Sequence, residues 1–203
     1  LHGRLRRIGA HAYEVGQAVA ATGINPETMW TPSSLRTEMT SVILLNQAAY
    51  PNVVQCVESL RDTINGPVEL IVVEMGSDDA SVQWLQQQPD ISLIQMPGAS
   101  AAVARNRGLA IARGRTVLFA NSTVVFTPYW REILLEHLEQ WPDIGIVAPV
   151  SLNGLSAQRV SESEQDGVEL GEIAQNFFAS RRGQHVYVPQ IESSMLMVKM
   201  DLV

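Results

Sequence analysis

The 203-residue chain is 46% hydrophobic and carries a formal charge of −7, long and apolar enough for one well-packed α/β domain with an appendage. Its acid excess, with Lys199 as the only lysine, excludes a nucleic-acid binder that tracks phosphates, because such binding needs clustered cations. The single cysteine, Cys56, excludes an internal disulfide framework, and the lack of an apolar run near the ~20 residues of a membrane helix, or of a hydrophobic signal core, sets the expectation of a soluble, cytoplasmic protein.

Residues 1–22 carry helical spacing, with Leu5, Ile8, Ala12, Val15 and Val19 on one stripe and Arg4, Arg6 and Arg7 on a solvated side. Gly23 stops this helix, and the Asn-Pro, Thr-Pro and Ser-Ser pairs of residues 24–39 predict a linker. The expected organisation is therefore an N-terminal helix and linker, 1–39, before a domain at 40–203. The chain opens on Leu1 and closes on Val203 within an apolar run, so a piece of a longer polypeptide is expected.

Residues 41–45, SVILL, form a continuous apolar run of strand length, as suits a strand covered on both faces. A helix follows over 51–63, with Val53, Val54, Val57 and Leu60 inward and Cys56 as a small core residue. After the turn Asn65-Gly66-Pro67, strand 68–73 runs straight into Glu74-Met75-Gly76-Ser77-Asp78-Asp79. Helix 80–88, strand 91–95, helix 99–112 with Gly114 as its stop, and strand 116–120 complete the pattern. Strands alternating with helices over short links predict a mostly parallel sheet with helices on both faces, whose ligands sit at the carboxyl ends of the strands. Those ends are Asn46, residues 74–79, Pro97-Gly98 and Asn121-Ser122-Thr123.

Downstream, a Thr-Pro signal opens helix 128–140, with Trp130, Ile133, Leu134 and Leu138 as its core face. Strand 144–150, a polar stretch at 152–175, a helix at 170–179 and strands at 185–188 and 194–198 follow. His2, His11, His137 and His185 share no zinc spacing with each other or with Cys56. A P-loop, a G-x-S-x-G elbow and G-x-G-x-x-G are all missing from the sequence, which argues against NTPase, hydrolase and dinucleotide enzymes. Trp84, Trp130 and Trp141 read as core residues rather than sugar platforms.

The segments SVILLNQ, VQCVESLR, VELIVVEMGSDDAS, ARNRGLAIARGRTVLFANS, TPYWREILLEHLEQWPDIGIVAP and SSMLMVKMDL, in this order and spacing, resemble glycosyltransferase family 2. That family has the GT-A fold of the nucleotide-diphospho-sugar transferases, and the resemblance spans residues 40–203. It implies that Glu74 stands where the family has an Asp that binds the nucleobase or ribose, with Gly76, Ser77 and Asp79 of the following turn retained. A carboxylate accepts from a uracil imide or ribose hydroxyl, and glycine lets backbone approach the ligand. The competing reading of residues 77–79 is a cap for the helix that begins near Ala80. Arg105-Asn106 matches the family's Arg-Asn pair, which implies contact with a phosphate or a role in orienting the site. Asn46 completes the expected donor site.

Asn121-Ser122-Thr123 stands where the family usually has an acid that holds Mn²⁺ or Mg²⁺ against the diphosphate. Hard cations want anionic oxygens, and Thr123 is neutral, so metal binding is expected to be poor. Asp78 and Asp79, at a neighbouring strand end, are the conceivable substitutes. The general base of an inverting transfer comes, in the family, from a segment after the one that resembles SSMLMVKMDL, and no catalytic residue is assigned; Asp201 reads as a cap. The expected function is therefore binding of a UDP- or dTDP-sugar and, if active, its transfer with inversion to an acceptor hydroxyl. The alternative is a non-catalytic GT-A-like binding module of a larger protein. A methyltransferase-like enzyme is weaker still, because the Gly-rich loop after the first strand is missing.

Overall fold

The computed structural model describes residues 5–8, 38–47, 50–77, 80–152, 158–159, 170 and 183–203, the first four by their backbone alone. Within them lie strands β1 Leu5–Ile8, β2 Thr40–Asn46, β3 Val68–Glu74, β4 Ile91–Gln95, β5 Thr116–Asn121, β6 Ile146–Pro149, β7 Tyr187–Val188 and β8 Met195–Lys199. Four helices intervene: α1 Tyr50–Thr63, α2 Ser81–Gln86, α3 Ala101–Leu109 and α4 Trp130–Gln140. A short 3₁₀ turn, Met200–Leu202, follows β8.

The described strands form one sheet in the order β4-β3-β2-β5-β8-β6-β1-β7. The β4-β3-β2-β5 part is parallel throughout, whereas β8 runs antiparallel between β5 and β6. Every residue of β2 is buried, because this strand has a neighbour on each edge and helices on each face. Val42 and Leu44 pack with Val53, Val57 and Leu60 of α1, Leu85 of α2 and Leu134 and Leu138 of α4. Ile43 and Leu45, which alternate to the other face, pack with Ala104 of α3. α3 lies tight on the sheet: a methyl added to Gly108 would fall 2.6 Å from Ile43 Cγ2.

Cys56 is fully buried on α1, the core role its position predicts. Burial pushes its thiol up to about 12, against a smaller opposing effect of the Val124 backbone.

The amino ends of the strands are cross-linked by side chains. The Thr40 and Thr116 hydroxyls meet at 2.9 Å. Arg131, 1% exposed, donates Nε to Thr40 Oγ1 at 3.0 Å, Nη1 to the Asn65 carbonyl at 3.4 Å and Nη2 to the Glu38 carbonyl at 2.5 Å. One strand over, Glu69 Oε1 accepts from Ser41 Oγ at 2.5 Å and the Arg113 amide at 2.6 Å, and Oε2 accepts from Arg113 Nε at 2.9 Å. Partial burial alone would raise the Glu69 carboxyl, but the hydrogen bonds from Ser41 and Arg113 and the Arg113 charge outweigh it and hold the group below its ordinary range.

Several expectations are corrected. The helix expected over 1–22 does not include Leu5–Ile8, which pairs parallel with β6 and antiparallel with β7. An open strand edge presents a row of unpaired N–H and C=O groups, and pairing with it overrides a local helical period. Residues 1–4 and 9–37, with the rest of that helix and most of the linker, lie outside the described residues, as does the helix expected at 170–179 beyond Leu170.

α3 ends at Leu109 rather than near 112, so Gly114 is not its cap. Gly114 is instead a point of close approach, since a methyl there would lie 2.5 Å from the Ser41 amide and 2.7 Å from the Met39 carbonyl. α4 begins at Trp130 after Tyr129, a non-glycine residue at φ 62°, so Pro128 is not its first helical residue. α2 starts at Ser81 with Ala80 at the N-cap position, which makes no side-chain cap bond; Asp78 and Asp79 of the cap reading lie outside the described residues.

Candidate functional site

In the strand order, β3 and β4 extend from one edge of β2 while β5 lies on the other. This reversal falls between β2 and β5, whose carboxyl ends are where open parallel sheets take their ligands. Asn46 and Asn121 end these two strands, and the register sets Asn46 beside Glu74 and Leu45 beside Asn121.

Asn46, Glu74, Gly76 and Ser77 form one hydrogen-bonded unit. Asn46 is fully buried and Glu74 is 2% exposed. Asn46 Nδ2 donates to Glu74 Oε2 and to Ser77 Oγ at 3.2 Å. Glu74 Oε1 accepts from the amides of Gly76 at 2.9 Å and Ser77 at 2.5 Å. The turn is clamped further by backbone bonds from Met75 N to Asn46 O at 2.9 Å, Met96 N to Glu74 O at 2.7 Å and Gly98 N to Met75 O at 2.9 Å.

Gly76 stands at φ 110°, a left-handed conformation that strains any other residue, so the turn favours glycine. The carboxylate expected to face a ligand is thus occupied by the chain's own donors. One acceptor stays open: Asn46 Oδ1 is buried and has no partner, a state that a ligand or water donor would relieve. Asp78 and Asp79 lie outside the described residues.

Arg105 and Asn106 diverge, because consecutive helical residues point about 100° apart. Ala104 and Gly108 face the sheet, Asn106 is exposed, and Arg105 leans along the sheet with its guanidinium 5.9 Å from the Phe119 ring. Arg105 Nη2 donates to the Ser193 carbonyl at 3.2 Å, tying α3 to the turn that leads into β8. The same turn accepts the Asn121 amide on Ser194 O at 2.9 Å. Ser193 and Ser194 are site neighbours that sequence reading missed; the only local signal is a polar pair before an apolar run, and the pairing of β8 with β5 is long-range.

At the β5 end, Ser122 is buried with its amide on Leu45 O at 3.0 Å, and Thr123 is exposed. The donor set Asn121-Ser122-Thr123 is neutral and does not fit a divalent cation. Among the described residues no group of three His, Cys, Asp or Glu side chains converges as metal ligands. A shallow groove lies elsewhere, on the outer side of α1 between Tyr50, Glu58, Asp62 and Val125. It is open and two-sided, and it does not include the strand-end cluster.

The sequence profile described as glycosyl transferase family 2 matches residues 41–190. The uncharacterized glycosyltransferase YibD of Escherichia coli K12 is 33% identical over 84 residues, 39% of this chain and 24% of that protein. Among solved structures, residues 1–349 of S. aureus TarS superpose with a TM-score of 0.56 at 16% identity, over 81% of this chain and 48% of that one. The mannosyltransferase PcManGT of Pyrobaculum calidifontis, solved with GDP-Man and Mn²⁺, gives 0.54 at 16% identity, over 87% and 50%. The chain thus spans about a quarter of the curated relative and half of each solved structure. Among the described residues no helix is long and apolar enough to cross a membrane. A profile match over most of the chain, on a mixed α/β sheet of this order, settles the family: the chain belongs to glycosyl transferase family 2.

Proposed function

We propose that this chain forms the nucleotide-sugar-binding part of a glycosyltransferase, with a UDP- or dTDP-sugar as donor and transfer with inversion to an acceptor hydroxyl. The observation that carries this reading is the polar unit Asn46-Glu74-Gly76-Ser77 at the switch point, with a buried acceptor, Asn46 Oδ1, left open. Asn121, Thr123, Arg105 and Asn106 flank it in this reading, and Asp79 joins it from the turn. Arg105 supports the site indirectly, by fixing the Ser193 turn beside Asn121.

In an inverting transfer the acceptor oxygen attacks the anomeric carbon as the nucleotide departs from the opposite side, and a base takes the acceptor's proton. No described residue is assigned as that base. PcManGT was solved with Mn²⁺, but the neutral β5 end of this chain gives such an ion no anionic ligand, so we propose nucleotide binding that does not depend on a divalent cation. That same neutrality favours a second reading, a binding module without transferase activity. We place both readings in the cytoplasm.

Calorimetry with UDP, dTDP and GDP, each with and without Mn²⁺, tests these statements. UDP or dTDP should bind equally well in both conditions. Binding strengthened at least tenfold by Mn²⁺ would sink the metal-independent reading, and no binding of any nucleotide would sink the donor reading.

A further inference from the structure

The resemblance to the family implies a ligand-facing carboxylate at residue 74, but the geometry gives Glu74 a different task. A carboxylate has two oxygens and about four acceptor positions. Here Oε1 takes the Gly76 and Ser77 amides and Oε2 takes the Asn46 amide, and the residue is 2% exposed. The side chain folds forward onto the turn of its own segment and sideways onto the neighbouring strand, so a single anion joins the ends of β2 and β3 to the turn. The Met75, Met96 and Gly98 backbone bonds then fasten that turn to the end of β2 and to the loop that follows β4.

We infer that Glu74 is a positioning residue: it is the built-in anion that sets the Gly76-Ser77 turn and orients the Asn46 amide, and it does not touch the nucleotide. The inference rests on the nucleotide-sugar reading of the site. Because Glu74 fixes Nδ2 of Asn46 as its donor, it also fixes which way that amide points, and so leaves Oδ1 as the open acceptor. Base recognition at this end of the crevice then depends on Glu74 through Asn46 and through the backbone of the turn.

A hydrogen-bond swap tests this. In Glu74→Gln, the new Oε1 still accepts the two amides but Nε2 faces Asn46 Nδ2, donor against donor. In the double variant Asn46→Asp with Glu74→Gln, the charge moves across the pair and a donor again meets an acceptor. The single variant should lower Tm by about 3–6 °C and weaken UDP binding about tenfold, and the double variant should recover most of both losses.

An unchanged Tm in Glu74→Gln, or a double variant worse than the single, overturns the positioning role. Recovery of Tm without recovery of UDP affinity also overturns it, because restoring the hydrogen bond between positions 46 and 74 would then not restore the site. A reciprocal Tm swap in a chain that binds no nucleotide overturns the donor reading instead, so the two failures are told apart.

Discussion

The two ends of the parallel sheet use the same residue types to opposite effect. At the amino ends, Thr40, Thr116, Ser41, Glu69 and Arg131 bond side chain to side chain and side chain to backbone across three strands, with Gly114 admitting the chain at van der Waals limits. At the carboxyl ends, Asn46 and Glu74 are equally buried, yet the unit holds an open acceptor and its turn stands on a positive-φ glycine. A polar network that is fully satisfied locks elements together, and one left incomplete keeps a place for a partner. In this chain the cross-linked end and the proposed binding end are therefore separated by about the length of one strand.

This contrast breaks most readily at Arg131. Its replacement by Ala removes a buried guanidinium from the Glu38 and Asn65 carbonyls and the Thr40 hydroxyl, and should cost about 3–5 kcal/mol in urea unfolding. The variant that still folds should bind UDP as the native chain does. Gly114→Ala comes next: its methyl meets the backbone of residues 39 and 41, which has no side chain to swing away, so a loss of about 1–3 kcal/mol is expected. Equal loss of UDP affinity at either position would show that the two ends are not separate.

Glu69→Gln is expected to cost about 1–2 kcal/mol near neutral pH, and it sharpens the comparison through pH. The native Glu69 carboxyl titrates below its unfolded value. It binds its proton more weakly in the folded state, so its stabilisation is complete above the unfolded carboxylate range and is lost as pH falls through the folded value. Unfolding measured from neutral pH down into that acid range should fall less steeply in Glu69→Gln than in the native chain. Asp90, held low chiefly by its hydrogen bonds from Arg61 against a smaller opposing effect of burial, adds a slope of the same sign.

The smallest effect on stability is expected at the site end. Thr123→Asp changes an exposed residue and should shift stability by no more than about 0.5 kcal/mol, while creating Mn²⁺-enhanced UDP binding that calorimetry can detect. Unchanged metal response would mean that position 123 does not face the diphosphate.

The sequence made the parallel half legible because its strands are buried on both faces, and continuous runs such as SVILL and VELIVV have few other fates. The carboxyl-end residues followed from that, since a strand's last residue locates its ligand edge. What stayed hidden was set by distant partners. The spacing of α4 marks only Trp130, Ile133, Leu134 and Leu138 as its core face, but the helix is buried nearly all round, with Arg131, Glu132 and His137 inside as well. Leu5–Ile8 takes its conformation from β6 and β7, and β8 from β5, across long stretches of chain. Glu74 ends β3, as its position after the run VELIVV predicts, but the direction of its carboxylate depends on Asn46, 28 residues away.

Cys56 gives the chain a clock of its own. The thiol sits between α1 and the end of β5, fully buried, with Sγ 3.9 Å from the Asn121 carbonyl, and as the only cysteine it reports from one place. A thiol held near pKa 12 presents almost no thiolate at neutral pH, so a disulfide reagent reacts only when the α1–β5 seam parts. Labelling rates in the native chain and its variants therefore time the opening of that seam beneath the crevice, with no added probe and no denaturant.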